Sequence, residues 1–138
     1  MLMKVGDIIR KKVQSGTIVG PYMRIEVIED DRVYASVFGS DAPNIMILKK
    51  NVHKCTQGSL VISSKMLDDL KNGFKSEVTH VCTPTWKAIV ESKPEILILR
   101  TAYVVYKNPF VLEDAKIVYS SAFKEQQVRL FVKRLKYV

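Results

Sequence analysis

Apolar residues in this chain come in short runs cut by glycine, proline and acidic residues, and two spacings recur, one of two and one near 3.6. The first third is strand-like. Residues 7–13, 23–28, 32–38 and 45–48 have the length and β-branched content of strands and are separated by turn residues. Met23, Ile25 and Val27 fall on one side of the second run, with Arg24 and Glu26 on the other. Val33, Ala35 and Val37 oppose Tyr34 and Phe38 in the third, and Glu29-Asp30-Asp31 supplies the tight turn between the two runs. Residues 14–21, with Gly16, Gly20 and Pro21, read as a loop that ends at Tyr22. The pattern predicts a small, strongly bent barrel whose closed sheet leaves no exposed edge.

The pattern changes after residues 56–59, Thr-Gln-Gly-Ser, which read as a linker. Leu60-Val61-Ile62 is a short strand or docking segment. Ser63 or Ser64 then caps a helix carrying Met66, Leu67 and Leu70, with Gly73 as its stop. Residues 77–82 read as a brief strand. Thr83-Pro84 reads as the N-cap and first residue of a second helix, with Trp86, Ile89 and Val90 on its apolar face. The near-continuous apolar run 96–99, prolonged through 101–106, predicts a central strand buried on both sides. Residues 110–112 and 116–119 read as two further strands around a Glu113-Asp114 turn. The last segment fits both periods. Val128, Phe131, Val132 and Leu135 follow helical spacing, while Val128, Leu130 and Val132 alternate as in a strand. Lys124, Glu125, Gln126 and Gln127 are good helix formers, and they favour a helix over 121–136.

At 138 residues the chain suffices for one ordinary domain or two small ones, and a hydrophobic fraction of 47% is enough for a core. The expected division is 1–56 and 59–138. No stretch reaches the roughly 20 apolar residues of a membrane-crossing helix, and Met1-Leu2-Met3-Lys4 lacks a signal-peptide core, so a soluble cytoplasmic protein is expected. The formal net charge is +8. Both halves are basic, with nine basic against six acidic residues over 1–58 and thirteen against eight over 59–138. Such a balance favours an anionic partner, nucleic acid first among them. Arg10, Lys11 and Lys12 end the first strand, and Lys49, Lys50 and Lys54 join them if folding brings those strands together. The densest basic stretch is 124–138, with five cations against one anion; on a helix Arg129, Lys133 and Lys136 align, with Arg134 beside them.

Chemistry beyond charge is sparse. Two His-x-Cys pairs, His53 with Cys55 and His80 with Cys82, hold either a four-ligand zinc site or two incidental thiols. No nucleophile motif, phosphate loop or dinucleotide fingerprint occurs, so neither catalysis nor a cofactor is expected.

The motifs VGDIIRKK at 5–12 and MRIEVIEDDRVYASVF at 23–38, a Gly-Asp opening, a basic first strand and a hairpin with an acidic turn, resemble the KOW/Tudor-type SH3-like barrels of transcription-associated proteins. The 16–22 loop departs from the usual KOW pattern, so the contacts that the family makes there do not carry over. The resemblance implies an α+β protein with an N-terminal SH3-like small β-barrel followed by a small basic α+β domain. A barrel of this kind ahead of a basic module also resembles the MotB-type modulators of T-even phages. That likeness implies a phage-encoded, non-catalytic protein that binds DNA in preference to RNA, largely without sequence choice, and alters host transcription or nucleoid structure. The expected phosphate contacts are Arg10, Lys11, Lys12, Lys49, Lys50, Lys54, Arg129, Lys133, Arg134 and Lys136. The alternative is an SH3-like adaptor that meets transcription or translation machinery through Tyr22, Tyr34 and Phe38.

Overall fold

The computed structural model describes residues 2–136; Met1 and residues 137–138, the outer ends of the two expected domains, lie outside the described residues. The fold is α+β: two helices and two five-stranded sheets, distributed over two compact units. The first unit runs to Cys55 and takes in Lys136; the second is Thr56–Leu135. Among the described residues, no helix is long and apolar enough to cross a membrane.

The first unit contains β1 (Ile8–Lys12), β2 (Ile18–Ile28), β3 (Arg32–Val37), β4 (Ile45–Leu48) and β5 (Val52–Lys54), in the order β4-β3-β2-β1-β5. Every ladder is antiparallel. The buried side chains Ile9, Met23, Ile25, Val33, Ala35, Ile47 and Val52 come from all five strands and form one core. A closed barrel was expected, and the sheet is not closed. No ladder joins β4 to β5 among the described residues. These strands are four and three residues long, the 3-10 turn Lys49–Asn51 alone separates them, and among the described residues each pairs only with its inner neighbour.

Two irregularities explain where the sequence pattern misleads. The 14–21 loop was expected to reach Tyr22, but β2 already begins at Ile18 and runs through Gly20 and Pro21. The ladder passes from Ile9↔Met23 to Lys11↔Val19, so Gly20, Pro21 and Tyr22 bulge opposite Arg10 alone. Gly20 has φ +81°, a conformation that suits glycine, and a bulge tolerates a proline without an N–H. A second slip falls between Ile25 and Val27. It turns Val27 outward and lets Ile28 pack on the core, because a one-residue shift reverses every face beyond it.

The second unit contains β6 (Gln57–Val61), α1 (Ser64–Lys71), β7 (Glu77–Val81), α2 (Pro84–Ser92), β8 (Ile96–Arg100), β9 (Phe110–Ser120) and β10 (Glu125–Arg134), with sheet order β6-β8-β9-β10-β7. Both helices start at the predicted caps. Met66 N–H donates to Ser63 Oγ at 3.2 Å and Trp86 N–H to Thr83 Oγ1 at 3.4 Å. Leu67, Leu70, Trp86 and Ile89 pack onto Leu60, Leu97, Leu99, Val128, Leu130 and Val132 of the sheet.

Four expectations need correction here. Residues 56–59 are not a linker, since β6 begins at Gln57 and runs parallel to β8. Thr56 is tied by its Oγ1 to Glu95 N–H at 3.0 Å and by its carbonyl to Ile96 N–H at 3.0 Å. Gly58 serves close packing rather than flexibility: a Cβ there would lie 2.9 Å from Pro94 Cγ and 3.0 Å from Ile89 Cδ1. The central strand stops at Arg100. Thr101 Oγ1 accepts the Tyr103 and Val104 amides at 3.2 and 3.1 Å and so bends the chain into a turn. Residues 110–120 form one strand rather than two, with Glu113 as a bulge between Leu112↔Val132 and Asp114↔Phe131. Residues 125–134 are a strand, not a helix. Paired with β9 and β7, β10 buries Val128, Leu130 and Val132 completely, which the helical stripe would not have done.

Candidate nucleic-acid interface

The chain's local turns and one long-range ladder build a basic cleft in the first unit. β1 ends in Lys11-Lys12 and enters a tight turn in which Val13 N–H donates to Thr17 O at 2.9 Å and Gly16 N–H to Val13 O at 2.8 Å. Gly16 takes φ +90°, which the turn needs and a residue with a Cβ adopts only under strain. On the other side, β5 pairs with β1 so that Val52 lies opposite Lys11. The 3-10 turn just before Val52 is thereby set alongside the end of β1. An open cleft of about 820 Å³ lies between these turns, lined by Lys11, Lys12, Lys50, Gln14, Gly16 and Asn51 among others. Among the described residues, no carboxylate lines it. Among the described residues, none of the three lysines has a carboxylate within ion-pair distance.

The other predicted residues of this unit have different surroundings. Arg10 donates through Nε to Gly20 O at 2.9 Å, and its guanidinium lies 5.0 Å from the centre of the Tyr22 ring. Lys49 is half-buried in the 3-10 turn, and its backbone N–H donates to Asp31 O at 2.9 Å. Lys54 serves the fold: its Nζ lies 3.4 Å from the buried carboxylate of Asp7 and donates to Leu2 O at 3.2 Å. Tyr22, Tyr34 and Phe38 are all half-buried. Tyr34 stands opposite Met46 in the β3–β4 ladder, and Phe38 N–H donates to Tyr22 O at 3.2 Å. At the far hairpin, Arg32 forks onto Asp31 at 2.8 and 3.1 Å and, chiefly by that hydrogen bond, holds the Asp31 carboxyl below the usual carboxylate range.

The C-terminal basic quartet does not form one row. On β10 the even positions 128, 130 and 132 point into the core and Arg134 follows them, while Arg129 and Lys133 alternate to the other face. Arg134 donates to Lys71 O and to Tyr106 Oη. Arg129 Nε lies 3.1 Å from Glu77 Oε1. Lys133 is exposed and, among the described residues, has no carboxylate partner. Lys136 is exposed in the first unit, where its carbonyl accepts Gly39 N–H at 2.8 Å. Sequence reasoning passed over Lys116, which sits opposite Arg129 with its Nζ 5.4 Å from the Phe131 ring centre.

The two His-x-Cys pairs fall in different units, His53 and Cys55 in the first, His80 and Cys82 in the second. Cys55 is buried and Cys82 is half-buried. The His80 ring stacks on buried Trp86 with centroids 4.3 Å apart and planes 3° from parallel, so this imidazole is part of the packing under α2.

Beside the basic cleft, and sharing Lys11 and Asn51 with it, lies a smaller and mainly apolar groove of about 330 Å³. Pro21, Met23, Ile45, Met46 and Leu48 form most of its wall. Sequence reasoning missed it, although the short β4 run Ile45-Met46-Ile47-Leu48 is too apolar for a strand with one face in solvent. No protein-family model matches the chain, and neither does any curated protein or solved structure.

Proposed function

We infer that the protein is a non-catalytic nucleic-acid-binding protein and that the first unit is its contact surface. The observation that carries this reading is the cleft at Lys11, Lys12 and Lys50, three cations that, among the described residues, have no carboxylate partner and share a concavity with no acidic side chain in its lining. Two glycine-bearing or 3-10 turns flank it, so backbone as well as side chains can come close to a phosphate. Phosphate contacts of this kind give affinity without reading base sequence. An SH3-like fold of the KOW/Tudor type for the first unit is part of the same reading. Its support is the four-strand antiparallel meander, the 3-10 turn before the last strand, and the return of that strand to β1. Bound along DNA, such a protein would act on transcription or on nucleoid structure by occupancy alone, and a basic surface would favour DNA of any sequence.

The second reading, a protein-interaction adaptor, rests on the apolar groove beside β4 and on the exposure of Ile45 and Met46. Ionic strength separates the two. A mobility-shift series with duplex DNA, single-stranded DNA and RNA at 50 and 200 mM salt should show binding that weakens steeply with salt. Absence of any shift at the lower salt would reject nucleic-acid binding and leave the adaptor.

A further inference from the structure

The basic cleft and the apolar groove adjoin, and that juxtaposition selects among polyanions. We propose that the first unit takes single-stranded nucleic acid, with phosphates on Lys11, Lys12 and Lys50 and one unstacked base in the groove walled by Pro21, Met23, Ile45 and Met46. The proposal rests on the nucleic-acid reading above and names the form of ligand.

A duplex presents phosphates outward and keeps its bases stacked, so it would use the lysines and leave the groove empty. A simple anion would do the same. A nucleotide in a single strand carries both parts, an anionic phosphate and a flat base whose faces are apolar and whose edge is polar. Apolar side chains hold an unstacked base by its faces, and cations along a groove hold the backbone that carries it. The walls meet both needs. Ile45 and Met46 are 45% and 46% exposed, a large apolar surface for a strand of four residues, and among the described residues no acidic one lines either the groove or the cleft.

The polar edge of a base also finds partners here. β4 pairs only with β3, so among the described strands its outer edge carries peptide N–H and C=O groups with no ladder, and Asn51 stands where the two hollows meet. A peptide could use that strand edge as well, but it would bring negative charge to three lysines only if it were acidic. A nucleic-acid strand brings one negative charge with every nucleotide. Lys11, common to both hollows, is the point where sugar–phosphate and base part company.

The test uses the full chain and fluorescence anisotropy with four labelled probes of one length at one salt concentration: oligo-thymidine, the same backbone made abasic, a duplex, and an acidic peptide. The expected order puts oligo-thymidine about 10-fold tighter than the abasic strand, the loss of one held base. The double substitution Ile45→Ser with Met46→Ser, both at exposed positions, should erase that difference and leave the abasic affinity and its salt dependence intact. Equal binding of oligo-thymidine, abasic strand and duplex overturns the inference while the general reading stands, and so does tighter binding of the duplex. Capture of the peptide alone, or of none of the probes, overturns both.

Discussion

Replacing Lys11, Lys12 and Lys50 together by glutamine would remove the positive charge of the cleft without opening the core. None of the three belongs to the buried cluster, and none forms an ion pair among the described residues. If each lysine meets one phosphate, the slope of log K against log salt should flatten by about 0.9 per contact on duplex DNA and about 0.7 on a single strand. Three contacts then give a change of about 2.7 on duplex and about 2.1 on a single strand. Over a fourfold rise in salt these slopes correspond to about 40-fold and about 20-fold of the wild-type loss of affinity. The assay is anisotropy titration at five salt concentrations between 50 and 200 mM, with circular dichroism to show that the variant folds. A control with Lys65→Gln, on the exposed side of α1 in the other unit, should shift the slope by well under one. A triple variant whose slope matches the wild type would refute the reasoning, since the cleft would then carry no phosphate.

Four further outcomes concern the stability of the two units, each taken by itself. Gly58→Ala should destabilise by about 1–3 kcal/mol, because the new methyl meets Pro94 and Ile89 at overpacked distances; urea unfolding followed through Trp86, the only tryptophan, measures it. Lys54→Met leaves the buried Asp7 carboxylate without its cation and should cost about 1–3 kcal/mol, read as a lower urea midpoint of the first unit. Lys93→Gly should stabilise by about 0.5 kcal/mol, since Lys93 closes α2 with φ +44° and glycine takes that conformation without strain; the melting temperature reports it. The Asp31 carboxyl lies below its ordinary value through Arg32, so its contribution to stability is present above the unfolded value and fades as pH falls through the folded one. Asp31→Asn should therefore have its small effect at neutral pH, and that effect should shrink as the pH falls below the ordinary carboxylate range, compared by denaturant midpoints.

Local signals in the chain already determined a good deal. Both helices are readable from Ser63 and Thr83, side chains that satisfy the amide two or three residues on, and from Pro84 in a first turn that needs no N–H. The alternation of Val33 and Ala35 gives β3 its buried face, and the acidic turn before it is a hairpin because no apolar residue there has a core to enter. The basic composition, too, is a property of the sequence alone.

Other features are decided only when distant segments meet. Residues 125–134 satisfy both periods, and pairing with β9 and β7 settles the choice by burying every second side chain. The bulges at Gly20–Tyr22, Glu26 and Glu113 are mismatches between two strands, so neither strand records them alone. The separation of Arg134 from Arg129 and Lys133 follows from that same strand geometry. The lysine cleft belongs here as well. Lys12 and Lys50 lie far apart in the chain, and they line one hollow because β5 comes back to pair with β1. Periodicity describes how one segment treats inside and outside, whereas a binding surface depends on which segments become neighbours, and that is a matter of long-range pairing.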